Sequence, residues 1–137
     1  MRRWLIVLGV LAIAGIGAGA YLLTPVTGPT RDLTLVGDVD RGSELIRLGG
    51  CVSCHTDAKG GRAFLSGGAG LETPFGTFVP PNITSHPDAG IGDWTLAQFS
   101  EAMSNGVGPE GHLYPAFPYE NYTLMSDQEI ADLYAAL

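Results

Sequence analysis

Cys51-Val52-Ser53-Cys54-His55 is the stretch from which the rest of the chain is best read. C-x-x-C-H is the attachment signature of a c-type haem. Each cysteine thiol adds across one porphyrin vinyl group, giving two thioether bonds. Two intervening residues let a single helical turn present both sulfurs to one haem edge, and the adjacent histidine then lies under the iron as its proximal nitrogen ligand. The 137-residue chain has two cysteines and three histidines in all, so the pattern uses every cysteine present.

Other uses of C-x-x-C fit less well. Half a zinc site needs a second ligand pair, and only His86 and His112 remain, in no H-x3-5-H spacing. A thioredoxin-like redox pair needs a βαβ surround, which is not readable here. A disulfide closing so short a loop would be strained and stabilise little.

Upstream, Met1-Arg2-Arg3 precedes Trp4 to Leu23, a run without charge. At 1.5 Å per residue it spans about 30 Å, the thickness of a bilayer core. The arginines favour a cytoplasmic N-terminus. Residues 1–24 are therefore expected to be a transmembrane anchor in the inner membrane, crossing it through 4–23, with the body in the periplasm. Ala18-Gly19-Ala20 keeps open a cleaved signal peptide, with the same destination. Residues 25–37, with prolines, glycines and no helical period, are expected to be a linker, with a short extended piece at Leu33 to Val36. The domain proper is expected over 38–137.

All 14 acidic residues lie beyond residue 30, against five basic ones there, so the body is more acidic than the chain's net charge of −7. That argues against nucleic acid or an anionic membrane surface as a partner of the body; it permits steering toward a basic patch on another protein and equally serves simple solubility. Asp38 or Asp40 is expected to cap a helix from Arg41 to about Gly49, with Leu45, Ile46 and Leu48 on its apolar side. Gly42 is placed to let another helix approach. Lys59 to Gly92 is rich in glycine and proline yet threaded with large apolar residues, which need a surface such as a haem face to pack on. A small hairpin is expected between Phe64-Leu65 and Thr77 to Val79. Thr95 and Gln98 form a capping box before a helix whose Leu96, Phe99 and Met103 mark one buried stripe. Ser126 and Glu129 form a second box, before Ile130, Leu133, Tyr134 and Leu137 at i, i+3, i+4, i+7.

Between these helices runs a proline- and aromatic-rich loop, Gly108 to Leu124, followed by Met125. A thioether sixth ligand fills the iron site and raises its potential, which suits electron transfer. Met125, on a loop, is free to reach the iron, whereas Met103 lies on a helix stripe and Met1 in the anchor. His112 competes because imidazole is a good iron ligand; His86, in a polar loop beside Pro87, reads as solvent-exposed.

Taken together, helix, CVSCH, irregular middle, helix, methionine loop and last helix resemble a class I cytochrome c domain over about Gly37 to Leu137. More closely, GGCVSCHTD, TPFGTFVPPNIT, GIGDW and HLYPAFPYENYTLMSDQEI resemble the haem subunits of periplasmic alcohol, gluconate and related dehydrogenases. The resemblance implies an all-α, class I cytochrome c fold around one covalently bound haem c. It implies electron transfer between a periplasmic dehydrogenase and the respiratory chain, through quinone or a terminal oxidase. It further implies that the first-helix glycine, Gly42, packs against an aromatic in the last helix, Tyr134. A proline carbonyl, from Pro80 or Pro81, would orient His55, and Asn82, Thr84 and Trp94 would contact the haem propionates. Two departures stand out. Several relatives have methionine inside the segment matching YPAFPY, where this chain has Phe117. Many relatives carry two or three haem domains, and this chain has one C-x-x-C-H; it reaches Leu137 inside a helical pattern, as a piece of a longer protein would.

The expected roles are thus Cys51 and Cys54 for covalent attachment, His55 as proximal ligand and Met125 as distal ligand. No nucleophile–base or paired-carboxylate constellation is visible, so no catalysis by this chain alone is expected. Two other readings follow if Met125 does not bind firmly: a small peroxidase with an open iron site, or a sensor in which a gas or anion displaces the thioether.

Overall fold

A computed structural model describes residues 2–23, 31–114 and 116–137. Residues 24–30, which include the first part of the expected linker 25–37, lie outside the described residues. Helix α1 (Arg2–Leu23) is 22 residues long, exposed along its length and long and apolar enough to cross a membrane. The regular structure of the rest is mainly helical, with two short hairpins: α2 (Val39–Leu48), α3 (Cys51–His55), the hairpin β1 (Leu71–Thr73) and β2 (Gly76–Phe78), α4 (Leu96–Asn105), the two-residue strands β3 (Val107–Gly108) and β4 (Gly111–His112), a 3-10 turn at Tyr119–Asn121 and α5 (Asp127–Ala136).

The core is a cluster of Ile46 from α2, Leu65 from the middle loop, Phe99 and Met103 from α4, and Ile130 and Leu133 from α5. Both capping boxes form, Thr95 with Gln98 and Ser126 with Glu129. Each carries a hydroxyl that accepts an N3 amide and a side chain that takes the cap amide, satisfying two otherwise orphaned donors. Asp38 caps α2 by accepting the Arg41 amide at 2.9 Å. Leu48 does not join the core; it is 84% exposed at the end of α2.

Helix α5 crosses α2 at very short range. A Cβ at Gly42 would overlap the Asp132 carbonyl and crowd the Ala136 methyl, and one at Gly37 would overlap the Ala131 carbonyl and crowd Ala135. The expected close approach at Gly42 is therefore present, but its nearest neighbours are Asp132 and Ala136 rather than Tyr134. Tyr134 points the other way: its ring lies 5.6 Å from that of Phe99 and its hydroxyl donates to the Trp94 carbonyl at 2.6 Å. In the crossing sits a carboxylate that helical periodicity alone does not flag. Asp132 is 2% exposed. It accepts from Arg41 Nε at 2.8 Å, the Asp38 amide at 2.7 Å and Gln128 Nε2 at 2.7 Å. Paired chiefly with the Arg41 guanidinium, its carboxyl is held well below the usual range.

Three local expectations are corrected. The hairpin pairs Leu71 with Phe78 and Thr73 with Gly76, so its first strand is not Phe64-Leu65. Leu65 instead turns at a φ of 58°, buried in the core, with its amide on Thr56 Oγ1 and its carbonyl accepting the Ile83 amide. No strand forms at Leu33 to Val36: the Asp32 carboxylate accepts the Thr34 amide and hydroxyl, turning the chain there. The segment Arg31 to Gly37, expected as linker, lies against α5, with Gln128 donating to the Val36 carbonyl at 3.0 Å.

Gly42→Ala should lower folding stability by about 3 kcal/mol in denaturant titration, because backbone cannot retreat from the new methyl. The depressed Asp132 pKa means that the unfolded chain binds the proton more readily. Its stabilisation is complete above about pH 4, the ordinary aspartate value, and is lost as pH falls further. Asp132→Asn should therefore reduce stability at pH 7 and flatten the acid limb of a stability–pH curve.

Candidate haem site

The motif helix α3 begins at Gly50, whose φ of +76° is a left-handed turn between α2 and Cys51. This reversal sets Cys51, Cys54 and His55 on a single turn. No disulfide joins Cys51 and Cys54. Burial pushes the Cys51 thiol up from its ordinary pKa, with a smaller contribution from the neighbouring Cys54.

The glycine-rich middle of the chain is folded onto this turn. The Gly67 amide donates to the His55 carbonyl at 3.0 Å and the Asp57 amide to the Gly67 carbonyl at 3.1 Å. Gly68 lies so close to the Cys54 carbonyl that a side chain there would overlap it, and its amide donates to the Pro80 carbonyl at 3.0 Å. The chain then places the Pro81 carbonyl 2.8 Å from His55 Nδ1. A carbonyl only accepts, so Nδ1 carries the proton and Nε2 keeps its lone pair for a metal. Of the two prolines proposed to orient the histidine, Pro81 does so.

Tyr122 ties the methionine loop to the motif. Its hydroxyl donates to the Gly49 carbonyl at 2.8 Å, its ring stacks on Phe117 with centroids 5.7 Å apart, and its own carbonyl accepts the Met125 amide at 3.0 Å. Met125, Cys51 and Val52 all pack, partly buried, against the same apolar cluster. Met103 is in the core itself.

The other histidines are placed differently. His86 is exposed, and its Nδ1 accepts the Asp88 and Ala89 amides at 3.2 Å, holding its own turn. His112 is exposed on β4 opposite Val107. Among the described residues no three His, Cys, Asp or Glu side chains gather as a metal site. Asn82 Oδ1 accepts the Thr84 amide at 2.8 Å and hydroxyl at 2.7 Å, which leaves the Asn82 amide NH2 as the donor a carboxylate would take. Trp94 is half-buried, with its ring against Gly108.

These residues fit a covalently held porphyrin. The thiols stand one helical turn apart, and the histidine offers an oriented Nε2. Large apolar side chains are left exposed in the domain, among them Phe64, Leu71, Val79, Tyr114 and Leu124. No role was expected for Tyr122, within the aromatic loop, or for Arg31, within the expected linker 25–37. Neither lies in a periodic pattern.

The family model described as Cytochrome c matches residues 39–135. The chain is similar to a diheme cytochrome c-type protein of Cereibacter sphaeroides, 47% identical over all of this chain and 48% of that protein. It is similar to the gluconate 2-dehydrogenase cytochrome c subunit of Pantoea cypripedii, 45% identical over 71% of this chain and 22% of the relative. It also resembles the cytochrome c subunit of the quinone-dependent alcohol dehydrogenase of Gluconacetobacter polyoxogenes, 42% identical over 71% of this chain and 20% of the relative. The chain thus spans about half the length of the first of these curated relatives and about a fifth of the other two.

Expressed with an intact haem-attachment system, the chain should keep its pigment through acidified organic solvent. Cys51→Ala with Cys54→Ala should release it. Either single substitution should move the reduced visible band to longer wavelength, because one vinyl group stays conjugated with the ring.

Proposed function

This chain belongs to the cytochrome c family, and from that membership we propose that it carries single electrons between a periplasmic dehydrogenase and the respiratory chain, through quinone or a terminal oxidase. One haem c is held by thioether bonds to Cys51 and Cys54. His55 is the proximal and Met125 the distal ligand, and Asn82, Thr84 and Trp94 take the propionates. Residues 1–24 anchor the body to the outer face of the inner membrane.

The observation that carries the reading is the path of hydrogen bonds between the two ligand-bearing segments. The Met125 amide is bonded to Tyr122, and Tyr122 is bonded to Gly49, two residues before Cys51. The last loop is thereby pinned to the turn from which the motif begins. When bound, the haem supplies the one-electron couple. The protein's own residues hold the geometry around it constant. Pro81 fixes the His55 ring and its tautomer, and the apolar cluster beside Cys51 and Met125 keeps polarity low on that side. Rigid ligands need little rearrangement when the charge changes, which is what a carrier requires. Relatives named as subunits of gluconate and alcohol dehydrogenases support an electron donor of that class, and α1 supports a tether.

The oxidised wild-type protein should show the weak far-red sulfur-to-iron absorption, and Met125→Ala should abolish it. A high-spin spectrum, or ready binding of cyanide or carbon monoxide by the wild type, would instead identify an open or labile sixth site and favour the peroxidase or sensor reading. In native membranes, adding gluconate or an alcohol should reduce the pigment when the cognate dehydrogenase is present and leave it oxidised when that enzyme is deleted. A mass that includes residues 1–24 would establish the anchor; loss of those residues would establish cleavage.

A further inference from the structure

Arg31 stands eight residues beyond the end of α1, yet its side chain is only 9% exposed. Its guanidinium is inserted into the turn that carries Met125. Nη1 donates to the Met125 carbonyl at 2.7 Å and to Asp127 Oδ1 at 3.0 Å, and Nη2 donates to the Thr123 carbonyl at 3.3 Å. The other Asp127 oxygen accepts the Asp32 amide at 2.8 Å. These bonds join positions more than 90 residues apart in the chain.

The placement suits a guanidinium through its two Nη atoms, while its Nε is buried without a partner among the described residues. Two main-chain carbonyls, on either side of the exposed Leu124, are turned toward one side chain, and a carboxylate closes the same site. A planar fork of donors can serve all three at once, while a lysine offers a single compact charge. Charge-assisted bonds of this kind are stronger than neutral ones, and carbonyls buried without a donor are costly. The tyrosine side of the turn has its own fastening, because the Met125 amide bonds to Tyr122. Arg31 supplies the fastening on the carbonyl side, at Met125 itself.

We infer that Arg31 is a positioning residue for the sixth iron ligand, holding the Thr123–Asp127 turn in the arrangement from which Met125 binds the metal. The inference rests on the proposed role of Met125. It makes the segment that joins the membrane helix to the domain part of the ligand-holding structure.

The test uses the full haem-loaded chain in detergent micelles, as wild type, Arg31→Gln, Arg31→Lys, Asp127→Asn and Met125→Ala. Imidazole is titrated into each oxidised protein as a competitor for the sixth site, and urea transitions are followed both by the far-red band and by far-ultraviolet circular dichroism. In Arg31→Gln, imidazole should bind about tenfold more tightly, the scale of one charge-assisted hydrogen bond. Its far-red band should disappear at lower urea than its helices, with Arg31→Lys and Asp127→Asn lying between this variant and wild type. A purely structural Arg31 would shift both urea transitions together and leave imidazole affinity within twofold, and that result overturns the inference. Should Arg31→Gln fail to fold, the same two readouts on Arg31→Lys and Asp127→Asn decide it. Loss of the band in Met125→Ala with unaltered Arg31 variants defeats this inference alone. A wild type without the band, binding imidazole as tightly as Met125→Ala, defeats the Met125 assignment and this inference with it.

Discussion

The crossing of α2 and α5 is the constraint from which the other placements follow. Gly37 and Gly42 have no side chains to hold the helices apart, so the α5 backbone at Ala131 and Asp132 comes into direct contact with them. Such proximity leaves no room for water, and the Asp132 carboxylate within it would be costly to bury unpaired. Its donors offset that cost: the Asp38 amide, the Arg41 guanidinium and the Gln128 amide all point at it. Because each of these comes from α2, its cap or the preceding turn of α5, the charge also fixes how the helices are aligned along each other.

That alignment has a functional reach. Helix α2 ends at the glycine turn that opens the Cys51–His55 helix, and α5 begins just after Met125. Setting the two helices against each other sets the Cys51–His55 helix against the Met125 turn, before any contact within the site is made. Tyr122 then locks the local distance through Gly49. The middle of the chain, with little regular structure, contributes in a different way. Its amides and carbonyls are used one by one at the end of the motif helix and just beyond it, at His55 and Asp57, and its Pro81 carbonyl selects the histidine tautomer. Lack of secondary structure here is compatible with a fixed shape, since the backbone groups find partners across the loop instead of along it.

The approach from α1 belongs to the same scheme. With Arg31 and Asp32 bonded to the start of α5, residues 24–30 are what separates the apolar helix from the folded body. A chain that short reaches about 25 Å at most when extended. On the reading proposed above, the domain would work close to the membrane surface.

Local chemistry made much of this protein legible from residues alone. The C-x-x-C-H motif, the two capping boxes, the apolar stripe of α4 and that of α5, and the close-approach glycine at 42 each depend on neighbours within a few positions, so they can be read in one dimension. The long fragments around CVSCH and YPAFPY indicated the family for the same reason. What had to wait for the tertiary structure was every interaction between positions that only folding brings together. Asp132 reads as one more acid on a helix until α2 supplies its donors. Tyr122 and Arg31 read as loop and linker residues until Gly49 and the Met125 carbonyl appear beside them. The partner of Gly42 shifted from an aromatic ring to a backbone carbonyl because the helix–helix distance, which no spacing encodes, decides which atoms meet. The first strand of the hairpin moved from Phe64-Leu65 to Leu71–Thr73 because Leu65 gained more by entering the core in a strained conformation than by pairing at the surface.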